Sequence, residues 1–133
     1  MKCVSLAIAI AFLLANAASA QNATSAGHSD AGATVFKKCM ACHQVGERAQ
    51  NGIGPVLNGV VGRRAGTYPG YIYSAATKSS GLIWDDETLA RYLRAPRTVI
   101  PGTRMAFAGL SKDHEILDVI AYLKQFAGDG QSQ

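Results

Sequence analysis

The sequence predicts a small all-α domain with long loops, and three observations carry that prediction. Apolar residues recur at helical spacing in several short stretches. No segment alternates apolar and polar residues as a half-buried strand does. Residues 44–73, which include Gly46, Gly52, Gly54, Pro55, Gly59, Gly62, Gly66, Pro69 and Gly70, sustain neither period. Three or four short helices make a thin core for a chain of this length. Connections this long and irregular are uncommon in a compact domain unless they wrap something. A large apolar, non-protein group is therefore expected to complete the interior.

The elements follow in chain order. Residues 1–20 begin Met1-Lys2 and run through Leu6, Ile8, Ile10, Phe12, Leu13 and Leu14 to Ala18-Ser19-Ala20. A charged start, an apolar run and an A-x-A end are the marks of a cleaved secretory signal peptide. Asn16 interrupts the apolar run, so no membrane anchor is expected. Cys3 leaves with the peptide, and a mature chain of 113 residues remains. Residues 21–29 are small and polar and read as a flexible N-terminus; the folded domain is expected over 30–128, with a flexible tail at 129–133.

Within the domain, Asp30 is expected to cap a first helix carrying Val35, Phe36 and Met40 on one face and ending near Cys42. A short helix over 74–80 is ended by Gly81. The acids Asp85, Asp86 and Glu87 open a helix carrying Leu89, Tyr92 and Leu93, which Pro96 ends. A loop over 97–109 contains Pro101-Gly102. Ser111 is then expected to cap the clearest helix, whose stripe of Ile116, Ile120 and Leu123 is widened by Leu117, Val119 and Phe126 before Gly128 stops it. No surplus apolar stripe is left over, so a monomer is expected.

The chain balances 13 Lys and Arg against 9 Asp and Glu for a net charge of +4. The basic residues are dispersed instead of gathered along one helix or groove, which argues against a nucleic-acid partner. An acidic protein partner fits the mild positive charge better.

The chemistry sits in Cys39-Met40-Ala41-Cys42-His43. This is the attachment pattern of c-type haem. Two thiols add to the two vinyl groups along one porphyrin edge, which sets how far apart the sulfurs stand, and the adjacent imidazole comes beneath the iron. Export agrees with it, because such attachment occurs outside the cytoplasm in bacteria. A thioredoxin-like pair wants a neighbouring βαβ pattern, which is absent. A zinc site wants a second pair of ligands, yet the other mature histidines are His28 and His114 and no further cysteine follows. A disulfide across three residues closes too short a loop to stabilise much.

Candidates for the second axial ligand are His28, His114, Met40 and Met105. Met40 lies inside the attachment loop and cannot reach the opposite ring face; His28 lies in the flexible segment, and His114 reads as a solvated residue of the last helix. Met105 stands in Ile100-Pro101-Gly102-Thr103-Arg104-Met105-Ala106-Phe107, outside any helical stripe. With a haem inferred, it is favoured as the ligand over a gap-filling role in the core.

At these residues the chain resembles the class I cytochromes c, the mitochondrial type and its short bacterial relatives. The resemblance spans about 31–127. It is carried by the attachment motif, Gly54-Pro55-Val56-Leu57, Gly62-Arg63, Tyr68-Pro69-Gly70-Tyr71-Ile72-Tyr73, Gly81-Leu82-Ile83-Trp84, Tyr92-Leu93 with Pro96, the segment from Pro101 through Met105 to Gly109, and Ile120-Ala121-Tyr122-Leu123.

The resemblance implies a class I cytochrome c fold of three to five short helices around one covalent haem c, with Cys39 and Cys42 as attachment points and His43 and Met105 as axial ligands. It implies that the Pro55 carbonyl accepts the second imidazole N–H, and that Arg63, Tyr73 and Trp84 hydrogen-bond a buried propionate, which is costly to bury unpaired. Tyr92 and Thr103 match hydroxyls near the methionine sulfur, and Phe107 an aromatic shield. Val35 and Phe36 should pack on Val119 and Tyr122. Thr77 and Ala65 depart from the mitochondrial pattern in the propionate region.

The implied function is that of a periplasmic one-electron carrier and not an enzyme, serving respiratory or other redox complexes. Lys38, Arg97, Arg104 and Lys112 match positions that steer acidic redox partners in transient encounters, with fewer lysines than the mitochondrial proteins have. The alternative is a haem peroxidase or ligand sensor with a labile sixth ligand, for which no distal acid or base stands out.

Overall fold

The computed structural model describes residues 26–126; the expected signal peptide, residues 21–25 of the expected flexible segment, the stop at Gly128 and the tail lie outside the described residues. Among the described residues five helices follow in order: α1 Ser29–Phe36, α2 Ala75–Ser79, α3 Asp86–Arg94, α4 Pro96–Val99 and α5 Asp113–Leu123. Among the described residues there is no strand, only an isolated antiparallel bridge between Arg64 and Ile83. The class is all-α, with long loops between short helices.

Local chemistry accounts for most of these boundaries. The Asp85 carboxylate accepts the Thr88 N–H at 2.7 Å, and Asp86 and Glu87 place negative charge in the first turn of α3. Ser74 Oγ accepts the Thr77 N–H at 3.1 Å and caps α2, which ends before Gly81 at φ 70°. Pro96 ends α3 but also opens α4, since a proline at the first helical position gives up an N–H that had no partner there anyway. The start of the expected 97–109 loop is therefore helical.

Two expected caps are displaced. His28, not Asp30, occupies the cap position of α1, without a side-chain cap bond; its backbone N–H donates at 2.6 Å to the buried Asp118 carboxylate of α5, and Asp30 lies in the first turn. Ser111 does not cap α5: Lys112 stands at that position with no side-chain bond, and Asp113 and Glu115 supply the first-turn charge instead. The first helix is also shorter than expected. Beyond Phe36 the chain continues as hydrogen-bonded turns over 37–42, and Met40 is 62% exposed instead of sharing the buried face of Val35 and Phe36.

Helix α5 buries Ile116, Val119, Ile120 and Leu123, the i, i+3, i+4, i+7 stripe of one face. Leu117 lies at its margin, half-buried. Helix α1 crosses this face so closely that a Cβ on Gly32 would stand 2.0 Å from the Asp118 carbonyl oxygen. Phe36 meets Tyr122 with ring centroids 5.3 Å apart, and Val35, Phe36 and Val119 share the core. Helix α3 packs on α4 and α5 and adds Leu89, Tyr92 and Leu93. The core thus gathers at α1, α3 and α5, and its remaining side is the wall of a cavity.

Candidate functional site

A cavity of about 800 Å³ is enclosed by the turn after α1, the loops over 51–57 and 70–74, Trp84, helix α3 and the loop over 103–107. The attachment motif forms one wall. The Cys42 and His43 N–H groups both donate to the Cys39 carbonyl, at 3.0 and 2.9 Å. The second is an i to i+4 bond, so residues 39, 42 and 43 project to one side as they would on a helix, and all three line the cavity. No disulfide joins the two cysteines. Burial pushes the Cys39 thiol above its ordinary range, with the Lys38 ammonium opposing.

His43 is fixed from two directions. Its Nδ1–H donates to the Pro55 carbonyl at 2.7 Å, which leaves Nε2 as the imidazole's lone-pair nitrogen. Burial lowers the pKa of the ring, outweighing the Pro55 bond, which acts in the opposite sense. Gly54 lies flat against it: a Cβ there would stand 2.5 Å from Cε1. The Gly54 N–H donates to the Cys42 carbonyl at 2.8 Å, tying this contact to the motif itself.

Of the four candidate sixth ligands, Met105 lines the cavity, whereas His28, His114 and Met40 do not. The Met105 loop leaves α4 through a turn closed by the Thr103 N–H on the Ile100 carbonyl at 3.0 Å. Tyr92 Oη, projected from α3, donates to Met105 Sδ at 3.6 Å and lies 3.1 Å from Thr103 Oγ1, which also accepts the Met105 N–H at 3.3 Å. Burial raises the Tyr92 pKa, so the phenol stays neutral and able to donate. Phe107 lines the same side.

Arg63, Tyr73 and Trp84 all line the cavity. The Arg63 guanidinium donates to the Asn58 carbonyl at 2.6 Å and stacks 4.8 Å over the Tyr68 ring, which aims it and limits its freedom. Tyr73 Oη accepts the Tyr68 N–H at 3.3 Å, and burial raises its pKa. Trp84 is 8% exposed, and its ring packs against that of Tyr92 at a tilt of 50°, with centroids 4.8 Å apart. Its backbone is locked by the Gly62 N–H, which donates to its carbonyl, and by its own N–H, which donates to the Arg63 carbonyl. Thr77 also lines the cavity; Ala65 does not, being buried behind it.

These features fit a haem. The volume is large, two thiols, an imidazole and a thioether face it, and the polar side chains of Arg63, Tyr73 and Trp84 line it. The proposed docking cations are divided: Lys38 and Arg104 line the cavity, while Arg97 borders a separate shallow groove and Lys112 faces Glu115.

Sequence reasoning missed several supports. Gly54 reads as an ordinary turn glycine until the imidazole is seen against it. Asn51 accepts the Val56 N–H at 2.9 Å and donates to the Pro69 carbonyl at 3.0 Å, joining two cavity loops. Ile53 and Ile72 stand exposed at the rim. The signal that could have found them is a large apolar residue set in a glycine-rich loop outside any periodic stripe.

Comparison with known proteins agrees with this geometry. The family profile described as Cytochrome c matches residues 29–127. Cytochrome c2 from Blastochloris viridis is 47% identical over 116 residues, covering 87% of each chain. Cytochrome c2 from Rhodoplanes tepidamans is 52% identical over 104 residues, 78% of this chain and 97% of that one. The structure of cytochrome c2 from Rhodospirillum centenum superposes with a TM-score of 0.73 at 42% identity, covering 77% of this chain and all of the other. The chain therefore belongs to the cytochrome c family, as a class I electron-transfer protein with a haem c cofactor and not an enzyme.

Proposed function

We propose that the chain is a periplasmic one-electron carrier in which Cys39 and Cys42 hold the haem by two thioether bonds and His43 Nε2 and Met105 Sδ take its axial positions. In attachment each S–H adds across one vinyl group, and nothing is lost. The observation that carries this reading is the convergence of both thiols, the imidazole and the thioether on one cavity. When bound, haem c supplies an Fe(II)/Fe(III) couple.

The chain's residues set how that couple is held. Pro55 fixes the His43 tautomer and makes the imidazole a better donor. Tyr92 and Thr103 orient the Met105 sulfur, a ligand that favours the softer ferrous ion. Arg63, Tyr73 and Trp84 receive the buried propionate, and Phe107 excludes water. With the haem bound, His43 and Met105 would both hold the iron from the chain itself, which suits exchange of an electron with another protein. Residues 1–20 direct export, and transient redox proteins are the partners. Among the described residues no helix is long and apolar enough to cross a membrane.

The test is the visible spectrum of the exported protein in both oxidation states, with and without Met105→Ala. A covalent low-spin haem with the weak far-red band of a ferric–methionine bond, lost in Met105→Ala, is the expected result. Covalent haem without that band, together with carbon monoxide binding by the native ferrous protein, would favour a sensor or peroxidase instead. Absence of covalent haem would overturn the assignment.

A further inference from the structure

Tyr68 does not line the cavity, yet two of the polar side chains that do line it rest on this residue. The Arg63 guanidinium lies over its ring, with Cζ 4.8 Å from the centroid and so within cation–π reach. Its backbone N–H donates to Tyr73 Oη at 3.3 Å. A residue that precedes a proline is confined to extended backbone, so Pro69 presets the direction in which Tyr68 offers both contacts.

The guanidinium is held at its edge as well as on its face. It donates to the Asn58 carbonyl at 2.6 Å and to the Val56 carbonyl at 3.4 Å. Asn58 is itself fixed, since its side-chain amide exchanges two bonds of 2.8 Å with the Gly46 backbone. Carbonyls carry no net charge, so these bonds aim the cation without cancelling it. Among the described residues no Asp or Glu lines the cavity. Of the cations that line it, Lys38 is paired with Glu115 at 2.8 Å and Arg104 is turned to the Ile72 carbonyl at 2.8 Å. Arg63 instead meets Tyr73, whose pKa is raised by burial while the Arg63 charge and a bond from its guanidinium oppose that rise.

We propose that Tyr68 is a positioning residue whose ring holds the Arg63 guanidinium toward the acidic group the cavity receives and keeps water from one face of the charge. This rests on the haem reading, in which that group is a propionate. A planar guanidinium suits the task, because it stacks on an aromatic face and is more weakly hydrated than an ammonium. A cation fixed in this way keeps a neighbouring carboxylate ionised. Once it is loosened and hydrated, the carboxylate takes up its proton at a higher pH.

The midpoint potential of the haem-loaded protein, followed from about pH 5 to about pH 9, tests the idea, because a proton gained beside the haem shifts the couple and the curve breaks where the carboxylate titrates. Tyr68→Phe keeps the aromatic face. Tyr68→Leu removes it, as does Tyr68→Ile, whose β-branch suits the extended backbone before Pro69. The break should move up by as much as about one pH unit in the two variants without a ring, the size of a cation–π contact expressed as a pKa, and stay in place in Tyr68→Phe. In an Arg63→Lys background Tyr68→Ile should add no further shift, since the effect runs through the guanidinium. A break that stays in place without the ring, or moves as far in Tyr68→Phe, or moves again in the Arg63→Lys background overturns the proposal. So does a potential with no break in any of the proteins. Spectra of the same samples separate the two readings: a wild type lacking covalent haem or the far-red band sinks the haem assignment, whereas intact spectra with an unmoved break sink the role of Tyr68 alone.

Discussion

At the scale of single residues, the imidazole of His43 shows how little slack the site has. It is pinned by the Pro55 carbonyl on one side and by the bare Cα of Gly54 on another. Adding one methyl group at Gly54 places an atom 2.5 Å from the ring, inside any allowed contact distance, so the ring or the 51–57 loop has to move. Gly54→Ala is expected to destabilise the haem-loaded protein by about 1 to 3 kcal/mol, the usual cost of overpacking. Urea titration measures that loss, and a weakened far-red band would show that the ring has moved. An unchanged midpoint would mean that the loop yields freely.

At the scale of elements, α1 and α5 form the closest joint and α3 the best-capped helix. Gly32 sits where the two backbones of the joint touch. Helix propensity alone favours Gly32→Ala by up to about 1 kcal/mol. The obstacle is a carbonyl oxygen in a packed helix and not the end of a flexible side chain, so packing should win and the variant lose about 1 to 3 kcal/mol. A rise in the thermal midpoint would show that the helices part readily. For α3, the Thr88 N–H holds the Asp85 carboxyl below its ordinary 3.8. A depressed folded value means that the stabilisation is whole above the ordinary value and is lost as pH falls through the folded one. Denaturation of wild type and Asp85→Ala should therefore differ most near neutral pH, with the gap narrowing as the solution is acidified below 3.8. A gap independent of pH would place the effect in propensity instead of in the charged cap.

At the scale of the whole molecule, the turn after α1, helix α3 and the loops over 51–57, 70–74 and 103–107 surround a space of about 800 Å³ that side chains leave for the haem, so much of the interior's apolar contact is made with the cofactor and the fold is expected to depend on it. Cys39→Ser/Cys42→Ser, made without covalent haem, should lack a cooperative thermal transition and show little helical circular dichroism. A sharp transition retained in that variant would mean that the three-helix joint stands alone.

Much of this was legible because it is local. The attachment motif lies within five consecutive residues, and Ser74, Asp85 and the α5 stripe act within one or two turns, so spacing alone conveys their chemistry. The displaced caps mark where locality ends: His28 takes the cap position of α1 with its N–H on Asp118, 90 residues away. The same holds for Lys38, whose charge is offset by Glu115 across 77 residues, and for Gly54, whose missing side chain matters only because His43 folds against it. Sequence by itself determined the helical class, the thiol pair, the imidazole and the favoured thioether. The tertiary structure decided which glycines lie against a neighbouring group, which cations are paired with a carboxylate and which loop residues line the cavity. These depend on which distant segments meet, and packing of the whole chain selects that, since no local interaction is strong enough to do so.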